Sequence, residues 1–160
     1  MSLTNATQPT VVHSTFVIER RYPVAPDRVF AALSDPARKR RWFAEGHDAQ
    51  TFEMDFRVGG AEKASYVMGP QTPFPGTSLT SDATYLDIVP DRRVVSASTM
   101  ALGGHTMSAT LATFELLPTE SGTELIFTHQ GAFFENSDGP QRREAGWQKL
   151  LSRLDGELAR

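Results

Sequence analysis

Residues 147–158 read WQKLLSRLDGEL. The apolar side chains of this stretch recur three or four positions apart, at Trp147, Leu150, Leu151, Leu154 and Leu158. With 3.6 residues to a helical turn, that spacing puts them on one side of a helix, and this side must be buried against another part of the chain. Residues 137–140 (SDGP) supply capping residues and an early-turn proline. The pattern therefore predicts a helix over about residues 139–158.

The middle of the chain consists of extended segments separated by turn sequences. Gly59-Gly60 and Gly103-Gly104 are typical of hairpin turns, and Pro90-Asp91 and Ser121-Gly122 of two further turns. Six strands are predicted, near residues 49–57, 61–68, 80–89, 93–102, 105–117 and 123–131. Because short connections join them, we expect an antiparallel sheet. This sheet is the only large surface against which the helix can be buried.

One more strand and two short helices are predicted ahead of this sheet. The strand covers about residues 15–24, and the helices run from Pro26 to Asp35 and from Pro36 to Phe43. The first helix is expected to end at Asp35, because a residue before proline avoids the α region. The predicted fold is α+β: a curved antiparallel sheet of about seven strands wrapped around a long C-terminal helix.

Length and composition predict one globular domain and exclude several function classes. The chain has 160 residues, 39% of them hydrophobic and 22% charged. We expect a flexible tail over residues 1–14 and a domain over 15–160. A net charge of -3 is too small to predict a nucleic-acid or membrane partner. The absence of cysteine excludes disulfides and thiolate zinc sites and is consistent with a cytoplasmic protein. No pair of histidines has metal-ligand spacing, so no metal is expected, and without a Gly-rich phosphate loop no cofactor is expected either.

Several segments, in their order and spacing, resemble one known family. They include Val24-Ala25-Pro26, Asp35-Pro36 with Trp42-Phe43, residues 56–60 (FRVGG), residues 85–90 (YLDIVP), Thr128-His129 with Gly131, and Gly146-Trp147. The chain resembles the activator of heat-shock-protein-ninety ATPase homologue-like family, within the START-like or SRPBCC superfamily of helix-grip domains. The resemblance implies a ligand cavity between the sheet and the last helix.

What the resemblance implies about function is less specific. Relatives across the superfamily bind lipids, hormones or polyketides, and a few are cyclases or hydrolases, so the fold does not choose among them. The co-chaperone that gives the family its name has an additional N-terminal domain, for which residues 1–14 leave no room. Chaperone activation is therefore the weaker expectation.

The turn at Gly103-Gly104 decides which side chains are predicted to face the cavity. A two-residue turn pairs Leu102 with His105, Met100 with Met107, and Ser98 with Ala109. The opposite face then carries Val95, Ala97, Thr99, Thr110, Ala112 and Phe114. Because Phe114 is the largest apolar group of the hairpin, we expect that face to be concave. Its short side chains would leave room for a ligand.

The same pairing leaves four apolar side chains for the convex face: Met100, Leu102, Met107 and Leu111. Exposed apolar patches often mark a surface that binds a partner. The sequence therefore predicts a homodimer.

The predicted ligand-binding residues are mostly aromatic, with short residues between them. They are Trp42, Phe43, Tyr66, Tyr85, Ala97, Thr99, Thr110, His129, Phe133, Phe134 and Trp147. Aromatic walls with a few hydrogen-bonding groups are typical of small-molecule sites. His129 is expected to face inward in register with Leu125 and Phe127, either to contact a ligand or as a hydrogen-bonded core histidine. Arg143 and Glu144 point either to the cavity mouth or to solvent, and the basic run 38–41 is interpreted as a solvated helix face.

Two functions from different classes fit this pattern. The first is a binding protein for a small hydrophobic or aromatic molecule. The alternative is a polyketide cyclase or dehydratase-like enzyme that would use His129, Tyr85 or Asp87 in the same cavity. We assign no catalytic residue.

Overall fold

The computed structural model describes residues 9–45 and 51–160. Seven strands form one antiparallel sheet: β1 (Val12–Tyr22), β2 (Thr51–Met54), β3 (Ala61–Val67), β4 (Ser78–Val89), β5 (Arg93–Leu102), β6 (His105–Thr119) and β7 (Gly122–Phe133). Their order across the sheet is β1-β7-β6-β5-β4-β3-β2. The helices are α1 (Pro26–Ser34), α2 (Pro36–Lys39), which continues as a π-helical turn over Arg40–Ala44, and α3 (Pro140–Leu158). The predicted α+β helix-grip fold is confirmed.

The apolar side of α3 is buried in the concave face of the sheet. Leu151 and Leu154 are fully buried, and Leu158 is 7% exposed. They belong to one core cluster with Leu125 and Phe127 of β7, which are also fully buried. Sequence periodicity predicted this packing, since the five apolar positions of α3 fall on one side of a helix.

Local sequence explains the two short helices that precede the sheet's middle strands. α1 ends at Asp35, whose ψ of 119° is extended, as expected for a residue before proline. The Asp35 carboxylate then caps α2 by accepting hydrogen bonds from the backbone N–H groups of Ala37 and Arg38, at 2.9 and 3.2 Å. The Trp42 indole donates to the Ala32 carbonyl at 2.8 Å, which fixes the π-helical turn against α1.

The first strand begins earlier than predicted. β1 starts at Val12 and pairs with β7 along its whole length, from Val12 opposite Phe133 to Tyr22 opposite Thr123. Residues 12–14, assigned to the flexible tail, are therefore part of the sheet, and His13 is a strand residue. Strand β2 is shorter than the predicted 49–57, and the prediction for residues 49 and 50 lies outside the described residues.

A bulge in β6 overturns the predicted facing of β5. Leu102 lies opposite His105 as expected, but Met100 lies opposite Ser108 and Ser98 opposite Thr110, because Met107 is an extra residue in β6. A one-residue shift moves every side chain of a strand to the other face of the sheet. Thr110, Ala112 and Phe114 of β6 keep the predicted facing, whereas Met107 and the residues of β5 do not. Ala97 and Thr99 therefore lie on the convex face, contrary to the prediction.

The same shift removes the predicted dimer patch. Met100, Leu102 and Met107 line the space on the concave side, and only Leu111 of the four lies on the outer face. The homodimer stays a prediction, without the surface that motivated it. Across the described ranges, no helix has the length and apolar character needed to cross a membrane.

Candidate functional site

A cavity of about 720 Å³ lies between the concave face of the sheet and the N-terminal half of α3. Its floor consists of inward side chains of β4, β5 and β6, among them Ser96, Met100, Ala112 and Phe114. Its roof is formed by α3, through Gly146, Trp147 and Leu150. Several sheet residues that line it have short side chains, which leaves space under this part of α3: Ala64, Ala83, Ser96, Ser98, Thr110 and Ala112.

Trp147 separates the cavity from the closed core. Its ring centroid lies 4.3 Å from that of Phe127, 5.9 Å from Phe43 and 6.1 Å from Phe114. Tilted and edge-on contacts of this kind stabilise aromatic clusters beyond their buried area. The indole is only partly buried, so one side of this cluster is an apolar wall of the cavity.

A buried charged cluster forms part of the wall near α2. The Lys39 ammonium lies 2.5 Å from a Glu62 carboxylate oxygen, and the Tyr85 hydroxyl donates to the same oxygen at 2.6 Å. Lys39 is 6% and Glu62 8% exposed, and Lys39 also lies 4.9 Å from the Phe43 ring centroid. Burial and the adjacent Glu62 carboxylate raise the pKa of Tyr85, so its hydroxyl stays protonated.

A second polar cluster lies at the start of α3. Arg143 donates to both carboxylate oxygens of Asp138, each at 2.8 Å, and to the Ser108 hydroxyl at 2.9 Å. Its guanidinium also lies 5.1 Å from the ring centroid of Phe133. Arg143 thus lines the cavity, one of the two alternatives that the sequence left open, whereas Glu144 does not line it.

His129 lies in the cavity wall between these clusters and the core. It is 1% exposed, in register with the fully buried Leu125 and Phe127, and stacks on Phe16 at 4.5 Å between ring centroids. Its Nε2 lies 3.4 Å from the Thr110 hydroxyl, and its Nδ1 has no hydrogen-bond partner among the described residues. Burial, together with the Arg143 charge, lowers the pKa of His129 to about 4, so the ring is neutral near pH 7.

The cavity opens to solvent between α3 and the loop that joins β3 to β4. The exposed lining residues define this mouth: Pro73, Phe74, Asn136, Arg142, Gly146 and Lys149. Arg142, Gly146 and Lys149 fall at i, i+4 and i+7 and share one edge of the helix. The mouth is therefore basic on its α3 side and apolar at Phe74.

The structure brings five of the eleven predicted residues to the cavity: Phe43, Tyr66, Thr110, His129 and Trp147. Trp42 and Phe133 are buried beside it, Tyr85 reaches it only through Glu62, and Phe134 follows the end of β7. Ala97 and Thr99 line a wide, open depression on the outer face of the sheet. We place the candidate site in the inner cavity, because enclosure is what removes a ligand from water.

Asp87, one of the three residues of the enzyme alternative, lies outside the cavity. Its carboxylate accepts from Arg93 at 2.7 Å, and both side chains are 45% exposed. Among the described residues, no three His, Asp or Glu side chains come together as metal ligands would.

Sequence reasoning missed Lys39, Glu62 and Asp138 as cavity residues. Lys39 was grouped with the solvated basic run 38–41, and that interpretation is wrong for Lys39 and for Arg41, which binds Glu157 of α3 at 2.5 Å. An available signal was the alternation of β3, where Glu62 precedes the inward Ala64 by two positions.

Comparison with known proteins identifies a family and several solved structures that are similar to this chain. The sequence model of one family, described as Activator of Hsp90 ATPase homolog 1-like protein, matches residues 23–159. No curated protein matches the chain.

Solved structures match over nearly the whole chain. The Mll3558 protein from Rhizobium loti is 47% identical over 93% of this chain and 99% of its own, with a TM-score of 0.85. A putative uncharacterized protein from Rhizobium leguminosarum is 34% identical over 93% and 96%, with a TM-score of 0.86. Protein CV1439 from Chromobacterium violaceum, at 23% identity and a TM-score of 0.70 over 89% and 95%, shares the fold.

Proposed function

The chain belongs to the family of Activator of Hsp90 ATPase homolog 1-like proteins, and from this premise we propose that it binds a small hydrophobic or aromatic molecule in the cavity under α3. Family and fold together point to a START-like ligand-binding domain. The ligand class is our inference from the cavity wall. One observation carries it: a space of about 720 Å³ between the sheet and α3, open at one mouth, with mostly apolar walls and a few buried polar groups.

The apolar part of the proposal rests on what a ligand would contact. Trp147, Phe43, Phe114 and the methionines at positions 100 and 107 offer aromatic and flexible apolar surface. Burying such surface is favourable by about 25 cal/mol per Å². Methionine side chains adapt to irregular shapes, which suits a wall that must pack against a ligand.

The polar part rests on groups with hydrogen-bonding capacity to spare. Thr110 and His129 both line the cavity, and the Thr110 hydroxyl, 3.4 Å from Nε2 of the neutral His129 ring, can both donate and accept a hydrogen bond there. A buried donor or acceptor left unpaired costs about 1–3 kcal/mol, so a ligand that supplies the partner gains affinity and a fixed orientation. We therefore infer one or two polar groups on the ligand.

The cyclase or dehydratase alternative receives less support from this geometry. Tyr85 donates its hydroxyl to Glu62, and the Glu62 carboxylate is already held by Lys39. Asp87 is paired with Arg93 at the surface. Of the three residues proposed for proton transfer, only His129 lines the cavity. Binding is the function that the site supports best.

The test uses two neighbouring residues of β5 that face opposite sides of the sheet. Ser96 lines the cavity, whereas Ala97 lines the outer depression. N-phenyl-1-naphthylamine, a neutral dye that fluoresces in apolar sites, is titrated into wild type, Ser96→Trp and Ala97→Trp. We expect wild type and Ala97→Trp to bind alike and Ser96→Trp to lose at least about tenfold in affinity, since the indole occupies the space.

Thermal melts of the three proteins show whether each variant is folded. If Ser96→Trp unfolds, Met100→Trp, also in the cavity floor, takes its place. The proposal would be overturned if Ser96→Trp bound the dye as tightly as wild type. Loss of binding in Ala97→Trp alone would also overturn it and would place the dye on the outer face.

A further inference from the structure

We propose that the ligand of this cavity is an amphipathic acid, whose apolar body lies under α3 and whose anionic group lies at the mouth between Arg142 and Lys149. This inference rests on the proposed function and names the ligand class. It starts from the charges around the cavity: five cationic side chains line it, Lys39, Arg142, Arg143, Lys149 and Arg153, against two anionic ones, Glu62 and Asp138. The cavity is thus cationic in a chain whose net charge is -3.

Three of the five cations are already held by the protein. Lys39 pairs with Glu62, and Arg143 binds both oxygens of Asp138. Arg153 donates to the backbone carbonyls of Arg41 and Glu45. Both anions are consumed in these pairs, so they do not neutralise anything else at the mouth.

Arg142 and Lys149 are the cations that remain. Neither has an ion pair or a side-chain hydrogen bond within residues 9–45 and 51–160. Seven residues of helix separate them by about 10 Å along its axis. An anionic group midway between them is within reach of both long side chains.

Gly146 leaves that midpoint open. It lies inside α3 on the edge that carries Arg142 and Lys149, and a Cβ built there would meet nothing within 4 Å. A glycine inside a helix costs about 1 kcal/mol relative to alanine, and here no packing contact requires it. The missing side chain exposes helix backbone and leaves space at the cavity mouth.

The start of α3 adds to the positive potential. Its first turn contains no acidic residue, although acidic residues stabilise this end of a helix, and it carries two arginines instead. One of them, Arg143, is compensated by Asp138, and Arg142 is not. A carboxylate or sulfonate bound near Gly146 would compensate Arg142 and Lys149.

The test compares two probes with the same rings. N-phenyl-1-naphthylamine is neutral, and 8-anilino-1-naphthalenesulfonate carries one negative charge. We expect wild type at low salt to bind the sulfonate at least about fivefold more tightly, since exposed ion pairs contribute up to about 1 kcal/mol each. We expect added salt to reduce this preference, since it screens charges at the surface.

The variant Arg142→Gln with Lys149→Gln removes both mouth cations. Its control is Lys63→Gln with Arg92→Gln, two exposed cations that do not line the inner cavity. Each double variant changes the net charge from -3 to -5, so both carry the same long-range charge. We expect the first to lose the preference for the sulfonate while keeping its affinity for the neutral dye, and the control to behave as wild type.

Three other outcomes would overturn the inference. If wild type binds both dyes equally, or both double variants lose the preference alike, the mouth does not recognise an anion, although the cavity still binds the neutral dye. If neither dye binds wild type, the proposed function fails together with the inference.

Discussion

His129 is a titratable side chain enclosed by aromatic rings. Phe16 stacks on one side of it, and Phe133 lies 6.2 Å away between ring centroids. Gly131 makes this packing possible, because a Cβ there would lie 2.7 Å from the Phe133 ring and 3.0 Å from the His129 ring. The imidazole is therefore fixed in the cavity wall in its neutral form.

This burial predicts that stability depends on pH through His129. Its pKa is about 4 in the folded protein against an ordinary 6.5, so the unfolded chain binds the proton more readily. The stabilisation is complete above about pH 6.5 and is lost as the pH falls towards 4. Between about pH 7 and pH 5 we expect the free energy of unfolding to fall by about 2 kcal/mol on this account.

Denaturant unfolding of wild type and His129→Gln at both pH values measures this dependence. Glutamine does not titrate, so the free energy of unfolding of His129→Gln should fall by about 2 kcal/mol less than that of wild type over the same interval. Equal decreases in the two proteins would mean that His129 is not the buried neutral group described here.

The orientation of a site residue was predictable where inward and outward side chains alternate along a strand without a bulge. His129 follows Leu125 and Phe127 at a spacing of two in β7, so its inward orientation could be predicted from the sequence. Ala97 and Thr99 could not be placed, because the two faces of β5 are similarly apolar: one carries Val94 and Met100, the other Val95 and Ala101. Only the bulge at Met107 decides between them.

At the scale of elements, the Lys39–Glu62 pair joins α2 to β3 across the cavity wall. The two side chains are only 8% and 10% exposed, so little water can replace a lost partner. Lys39→Met leaves the Glu62 carboxylate buried and unpaired, and we expect it to cost about 3–5 kcal/mol of stability.

The double variant Lys39→Met with Glu62→Gln separates the ion pair from the packing. The amide of glutamine still accepts the hydrogen bond from Tyr85 but carries no charge, so we expect it to recover much of the loss. Urea unfolding of the single and double variants provides the comparison. A double variant less stable than Lys39→Met alone would show that the unpaired charge on Glu62 is not what destabilises the single variant.

Helix α3 is held to the sheet by its C-terminal half. Leu151 is fully buried in the core cluster, and truncation leaves a cavity that the surrounding strands cannot fill. We expect Leu151→Ala to cost about 2–5 kcal/mol. Denaturant melts check this, with the exposed Ser152→Ala as the control; a cost below about 1 kcal/mol would contradict the assigned helix face.

The bounds of strands and helices were predictable where turn-forming residues flank them. β5 lies between Pro90-Asp91 and Gly103-Gly104 and was predicted with its observed bounds. β1 was predicted to begin three residues late and to end two residues late; its start was missed because Val12–Ser14 becomes a strand through pairing with the end of β7, which is distant in sequence. Long-range pairing of this kind leaves no local signal.

Across the whole molecule, α3 divides the interior into two parts. Its C-terminal half packs Leu151, Leu154 and Leu158 into a closed core, and its N-terminal half covers the cavity through Gly146, Trp147 and Leu150. The floor under the C-terminal half is built from large side chains such as Phe127, whereas the floor under the N-terminal half includes the short residues Ser96, Ser98 and Ala112. Stability and ligand binding therefore depend on different halves of the same helix.

The five methionines of the chain allow a direct test of where a ligand binds. Met68, Met100 and Met107 line the cavity, whereas Met54 packs against the core outside it, and Met1 lies beyond the described residues. The measurement is an NMR titration of protein labelled with carbon-13 in its methionine methyl groups, using N-phenyl-1-naphthylamine. We predict that ring currents of the bound dye shift the methyl signals of Met68, Met100 and Met107 and leave that of Met54 in place. Saturable dye binding without shifts at Met100 and Met107, or with the largest shift at Met54, would contradict a ligand site under α3.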